Sequence, residues 1–265
     1  MKCIILYYSG SGNTKLACQY ISKNLSNIEI ELFNMVKAEK IPDFTQYDLI
    51  GFAVFTDFGG PSYLVQDFIE KIPQQKEKLA FVFNTYGFIS GKTLIMLAKW
   101  VRERGFNVVT GYSLHTPENY PPMIIRGRGA ETNPDEKELA DFKEFIAELK
   151  GIIDSYQKGK EIKKRKIKVG ILGKTLPAFS RTKARDDMGE KFVEDSLCTE
   201  CGICEKGCPY GAIQLDPKPK FDMEKCYGCW YCYNHCPEKA IYTNKVKGEG
   251  YYPKANKQLK EKMKV

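Results

Sequence analysis

No stretch of the 265 residues approaches the roughly 18 consecutive apolar residues that a membrane-spanning helix needs. No signal-peptide cleavage pattern follows the short apolar run at residues 4–8. A soluble, cytoplasmic chain without membrane insertion is the expectation. The Gly-Lys-Ser/Thr of a Walker loop is missing too. No proton-transfer dyad or activated nucleophile is evident, so no catalytic residue is assigned and the chemistry is left to cofactors. What is present is an ordinary globular composition, 43% hydrophobic and 28% charged, too apolar for a disordered chain. The formal charge of +8 is uneven: residues 1–155 sum to −2 and residues 156–265 to +10.

The ten cysteines are as unevenly placed. Cys3 and Cys18 stand apart and read as small core residues. The other eight form two runs of one pattern, C-x2-C-x2-C-x3-C-P: Cys198, Cys201, Cys204, Cys208 and then Cys226, Cys229, Cys232, Cys236. A shift of 28 residues superimposes them and carries Pro209 onto Pro237, Ala212 onto Ala240 and Ile213 onto Ile241. Duplicated half-modules follow. With no secretory signal, such a cluster points to metal rather than disulfides. Zinc sites present separated pairs, not triplets closed by Cys-Pro. The segment resembles bacterial-type ferredoxins with two 4Fe-4S clusters. In such proteins the fourth cysteine of each run ligates the other cluster. That implies cluster one on Cys198, Cys201, Cys204 and Cys236, and cluster two on Cys226, Cys229, Cys232 and Cys208. Tyr227, Trp230, Tyr231 and Tyr233 shield a cluster, dock a partner or fill a small core, and His235 reads as exposed.

Residues 1–157 alternate between two patterns. Buried-strand runs fall at 3–8, 28–33, 49–55, 79–84 and 107–114, and helical periodicity at 14–25, 62–72, 92–104 and 135–156. Alternation of this kind predicts an α/β fold, a doubly wound five-stranded parallel sheet of strand order 2-1-3-4-5. A basic linker at 158–191, the cysteine domain at 192–242 and a lysine-rich tail at 243–265 complete the expected organisation.

After the first strand, Ser9-Gly10-Ser11-Gly12-Asn13-Thr14 runs into a helix. Small residues, hydroxyls and N–H groups at a helix N-terminus hold a phosphate without a cation. A dinucleotide fingerprint would need glycine where Lys15 stands. The loop resembles the flavodoxin phosphate loop, which implies that Ser9, Ser11, Gly12, Asn13 and Thr14 grip the phosphate of FMN. Ligands of doubly wound folds lie beyond the carboxyl ends of the strands. By the same resemblance Phe55, Thr56, Asn84, Thr85, Tyr86, Gly87 and Phe88 frame the isoalloxazine ring. Asp57 is expected as a solvated loop carboxylate. The long loop at 115–133 is expected either to cap the flavin or to meet the cysteine domain.

With Thr-Tyr-Gly at 85–87 and Pro-Glu-Asn-Tyr at 117–120, the whole chain resembles the flavodoxin–ferredoxin fusion proteins of anaerobic bacteria and archaea. That resemblance implies electron transport: an electron-transfer flavoprotein coupling FMN to two 4Fe-4S clusters and exchanging electrons with redox partner proteins. The alternative is a cluster-fed, FMN-dependent reductase acting on a small molecule over the flavin. Nucleic acid is not an expected partner. The basic flanks read as charge that offsets anionic clusters or steers an acidic redox partner.

Overall fold

The computed structural model describes residues 1–36, 38–162, 164, 167 and 181–264. Residues 163, 165–166 and 168–180 of the expected linker lie outside the described residues. Five parallel strands, β1 (Lys2–Tyr7), β2 (Glu29–Asn34), β3 (Leu49–Phe55), β4 (Lys78–Tyr86) and β5 (Phe106–His115), form one sheet in the order β2-β1-β3-β4-β5. This is the predicted order. Side chains alternate across a strand, so a strand covered on both sides must be apolar throughout. In β1, Cys3, Ile5 and Tyr7 enter one core with α1 (Asn13–Asn24) and α5 (Glu136–Gln157). Ile4 and Leu6 enter the other with α2 (Tyr63–Glu70) and α3 (Thr93–Glu103). Cys3 and Cys18 are buried in the first core, as expected. Gly51 of β3 lies under the Phe81 ring, where a methyl group would stand 2.4 Å from it; only glycine fits there. A short helix, α4 (Pro121–Ile125), follows β5.

The cysteine module begins earlier than expected. Helix α6 (Arg181–Met188), with Ala184 and Met188 buried, precedes β6 (Lys191–Val193). Met188 packs with Trp230 and Tyr233 of the module, so this part of the expected linker is apolar enough to join a core. Then come α7 (Ile203–Gly207), β7 (Ile213–Asp216), β8 (Lys218–Phe221), α8 (Tyr231–His235) and β9 (Ile241–Thr243). β6 pairs with β9 and β7 with β8, both antiparallel. The sequence repeat is a structural one. In both halves an N–H four residues on, Ala212 or Ala240, donates to the fourth cysteine's Sγ at 3.3 Å. Each short helix starts from a left-handed residue, Gly202 (φ 72°) in the first half and Trp230 (φ 60°) in the second. An indole where glycine would be cheaper marks a position whose side chain is wanted.

The tail is not a free tail. It returns to the N-terminal domain, where α9 (Lys257–Lys262) is capped by Asn256 Oδ1, which accepts from Leu259 N–H at 2.8 Å. Ala255, Leu259 and Met263 are buried in the core shared by α1 and α5. Lys262 Nζ donates to the Pro134 carbonyl at 2.8 Å, ahead of α5.

Candidate functional site

Four loops leave the carboxyl edge of the sheet, after β1, β3, β4 and β5, and together they make a cavity. Ser9, Ser11, Asn13, Thr14, Phe55, Thr56, Thr85, Tyr86 and Gly87 line it, joined by residues 116–119. Helix α1 starts at Gly12 (φ 93°), whose missing side chain cannot cap it; Ser9 Oγ accepts from Lys15 N–H at 3.3 Å, and the helix N-terminus points at the loop. Thr14 and Thr85 hydroxyls meet at 2.8 Å. Ser9 Oγ accepts from Gly12 N–H at 3.1 Å and shapes the turn. Donors without a cation, backed by aromatic rings, suit a phosphate joined to a flat heterocycle. The residues fit FMN.

Three expected contacts are not in this lining: Gly12, which forms the turn into α1, and Asn84 and Phe88. Asn84 is fully buried behind the cavity, donating to Thr56 Oγ1 at 3.0 Å and accepting from Ser113 Oγ at 2.5 Å. It braces the loops, because the β4 pleat turns it away from the crevice. Phe88 is 49% exposed, with the Arg128 guanidinium over its ring; the chain there has already left the cavity edge. Tyr86 stacks on His115 with centroids 4.9 Å apart, and Phe55 packs on Tyr8.

The cysteines form two rings. Cys208, Cys226, Cys229 and Cys232 line one cavity, with Lys191, Tyr210, Tyr227 and Trp230. Cys198, Cys201, Cys204 and Cys236 line another. Each ring is a triplet from one run plus the fourth cysteine of the other. Among the described residues no three Cys, His, Asp or Glu side chains converge as a single ion requires. The rings surround space instead, which fits a cluster better than zinc. Burial pushes the Cys229 thiol up and the Cys232 thiol to about 11, so thiolates there need a metal's charge. Lys191 is the residue that sequence reading left in the linker. It is buried, and its Nζ donates to Cys226 Sγ at 3.0 Å. Burial pulls its pKa down, yet the sulfurs of Cys232 and Cys226 push it above the usual lysine value.

Residues 4–93 match the flavodoxin domain family, and residues 197–240 match the 4Fe-4S dicluster domain family. The chain joins a flavodoxin domain to a 4Fe-4S dicluster domain. An uncharacterized protein of Methanocaldococcus jannaschii is 32% identical to this fusion over 108 residues, 39% of this chain and 50% of that protein. Pyruvate synthase subunit PorD of the same organism is 41% identical over 52 residues, 19% of this chain and 60% of that subunit. The chain thus spans about half to three fifths of these relatives' length. A solved archaeal flavodoxin is 21% identical, with a TM-score of 0.43 over 58% of this chain and 99% of that one. No helix among the described residues is long and apolar enough to cross a membrane.

The cavity edge of the flavodoxin domain abuts the ring of Cys208, Cys226, Cys229 and Cys232. Phe58 meets Tyr120 at 5.5 Å, and Tyr120 meets Trp230 of the dicluster domain at 5.9 Å. Tyr63 faces Tyr227 at 6.3 Å, and the Ser62 and Tyr210 hydroxyls lie 3.2 Å apart. Asn234 donates to the Asn119 carbonyl at 2.9 Å. The loop at 115–133 therefore meets the dicluster domain and also borders the cavity. Of the aromatic residues of the second cysteine run, Trp230 and Tyr233 fill a small core, and Tyr227 and Trp230 also meet the flavodoxin domain of the same chain, a role the sequence reading did not offer. His235 is half-buried rather than exposed, because it stacks on Tyr231 at 3.9 Å.

Asp57 is a further correction. It is buried at this seam, since Tyr210 and Tyr227 from the other domain cover it, and its Oδ2 has no partner. Burial pushes its carboxyl up to about 7, against hydrogen bonds from Tyr227 and Ser62 that pull it down. A folded pKa above the ordinary 3.8 favours the folded state fully below pH 3.8 and loses that contribution as pH rises through 7. Asp57→Asn is therefore expected to gain roughly 2–4 kcal/mol over the parent between pH 5 and pH 8. Anaerobic urea denaturation at the two pH values measures it, and an equal gap in both proteins would show that Asp57 carries no such linkage.

Proposed function

We propose that the chain is an electron-transfer protein in which FMN in the flavodoxin domain exchanges electrons with cluster two, and cluster two with cluster one. FMN supplies one- or two-electron chemistry and each 4Fe-4S cluster one-electron chemistry. One observation carries the reading: the ring of Cys208, Cys226, Cys229 and Cys232 lies against the flavin loops through Trp230, Tyr120 and Phe58. Burial of Tyr8 at the end of β1 pushes its hydroxyl well up, and Cys229 and Cys208 add to the shift across the seam.

The chain's own groups set the conditions of transfer. Lys191 places a cation on a ligand sulfur of cluster two and so favours its more negative, reduced state. Cluster one's ring includes the exposed Cys201, which suits exchange with a redox partner protein. The reductase alternative has less support. Glu118 accepts from Phe88 N–H at 2.9 Å, and Asn119 Nδ2 lies 3.2 Å from where a Gly10 Cβ would stand. On this reading the segment at 118–119 leaves little room for a small substrate between the loops at 10 and 87–88.

The test is anaerobic purification with iron, sulfide and FMN counted, followed by stepwise reduction watched by visible and EPR spectroscopy. About eight irons and one FMN per chain, cluster-mediated flavin reduction and no direct reduction by NAD(P)H are expected. A chain that retains no flavin after gentle purification would end the reading.

A further inference from the structure

The segment that follows the dicluster domain reaches the phosphate loop. Tyr252 is buried, and its hydroxyl donates to Asn13 Oδ1 at 3.0 Å while accepting from Asn256 N–H at 3.1 Å. Asn13 Nδ2 donates in turn to the Pro117 carbonyl at 2.8 Å. Protein groups thus engage both ends of the Asn13 amide, and its side chain sets the loop rather than reaching for a ligand. The backbone N of Ala255 stands 3.9 Å from where a Gly12 Cβ would be, so the returning segment lies against the turn itself.

Tyr252 is held from the other side by the dicluster domain. Its N–H donates to Asn234 Oδ1 at 3.0 Å. Asn234 is buried and belongs to α8, between Cys232 and Cys236. It also donates to the Asn119 carbonyl, and Asn119 Nδ2 lies 3.4 Å from Ser11 Oγ. Two routes therefore run from α8 to the phosphate loop, one through Tyr252 and Asn13 and one through Asn119 and Ser11. The loop 9–14 holds no lysine or arginine. Within the loop, the grip on an anion rests on N–H and O–H donors, whose strength falls steeply with misalignment; Lys254 of the returning segment lines a cavity beside residues 9–12.

We propose that Tyr252 is a positioning residue for the phosphate of FMN: through Asn13 its hydroxyl aligns the first turn of α1, while other loops hold the flavin ring. This rests on the reading that the loop binds FMN. Removing the hydroxyl leaves Asn13 Oδ1 buried without its donor, a loss that costs about tenfold in a coupled equilibrium. The penalty falls on the phosphate and spares the ring.

The full chain with clusters retained and flavin removed is titrated separately with FMN and riboflavin, following flavin fluorescence. Tyr252→Phe keeps the ring and is expected to weaken FMN about tenfold while leaving riboflavin within about twofold. Asn13→Ala removes the acceptor and also the donor to the Pro117 carbonyl, so FMN weakens at least as much, and the double variant is no worse than Asn13→Ala alone. Equal weakening of both flavins, or unchanged FMN affinity in Tyr252→Phe, overturns the proposal. If Tyr252→Phe loses iron or unfolds, Asn13→Ala decides by the same two titrations. A parent chain that does not prefer FMN over riboflavin overturns the phosphate-loop reading itself, and this one with it.

Discussion

Replacing Cys236 with alanine is expected to destroy the site built on the first cysteine run, Cys198, Cys201 and Cys204, although Cys236 belongs to the second. Replacing Cys208 is expected to do the converse. The cavities dictate this: each ring takes three cysteines from one tight loop and the fourth from the residue ending the other half's short helix. A cluster deprived of one thiolate loses a corner iron's anchor, so each variant is expected to fall from about eight irons to about four. Trp230 tells the two losses apart. It lines the second ring only, so its quenched fluorescence should recover in Cys208→Ala and stay low in Cys236→Ala. Recovery in the Cys236 variant instead would mean that each run holds its own cluster.

The second large effect is on stability and comes from the tail. Leu259→Ala is expected to destabilise the flavodoxin domain by about 2–5 kcal/mol, the cost of truncating a leucine in a closed core. Leu259 is fully buried and sits with Ala17, Ile21 and Ile153 in the core under α1 and α5. Thermal unfolding of the flavodoxin domain, followed by FMN release, should shift down by roughly 5–15 °C. Iron content should stay unchanged until the flavin leaves. An unshifted midpoint would place α9 outside that core.

Much of this molecule is written locally. The strands announce themselves as short apolar runs, and the phosphate loop and the cysteine runs have fixed covalent spacing. Sheet order follows from the strand and helix alternation, and the expected ligand sets from the resemblance to two-cluster ferredoxins. What was hidden depends on partners far along the chain. Asp57 looks solvated because the tyrosines that bury it stand at 210 and 227. Tyr252 meets Asn13 across 239 residues with no local sign of the pairing. Lys191 is one lysine among many until β6 turns it toward Cys226. The tail did carry a signal. Ala255, Leu259 and Met263 recur every four residues, the period of a helix face, but the surrounding lysines outweigh them in any average. Asn84 and Phe88 were misplaced for a simpler reason: proximity to a loop in sequence does not say which way the pleat turns a side chain.

The return of α9 to the first core changes what the chain is topologically. Its iron-sulfur part lies between two segments that share one core, residues 1–157 and α9. On the ribosome, residues 1–157 emerge with the ground between α1 and α5 still uncovered, and it stays open until residue 263 has been made. The cysteine module emerges earlier. The order of synthesis thus puts the metal-binding half before the closing of the flavin-binding half. A chain cut after residue 242 would leave a flavodoxin domain with an unsealed seam, not a free-standing flavodoxin.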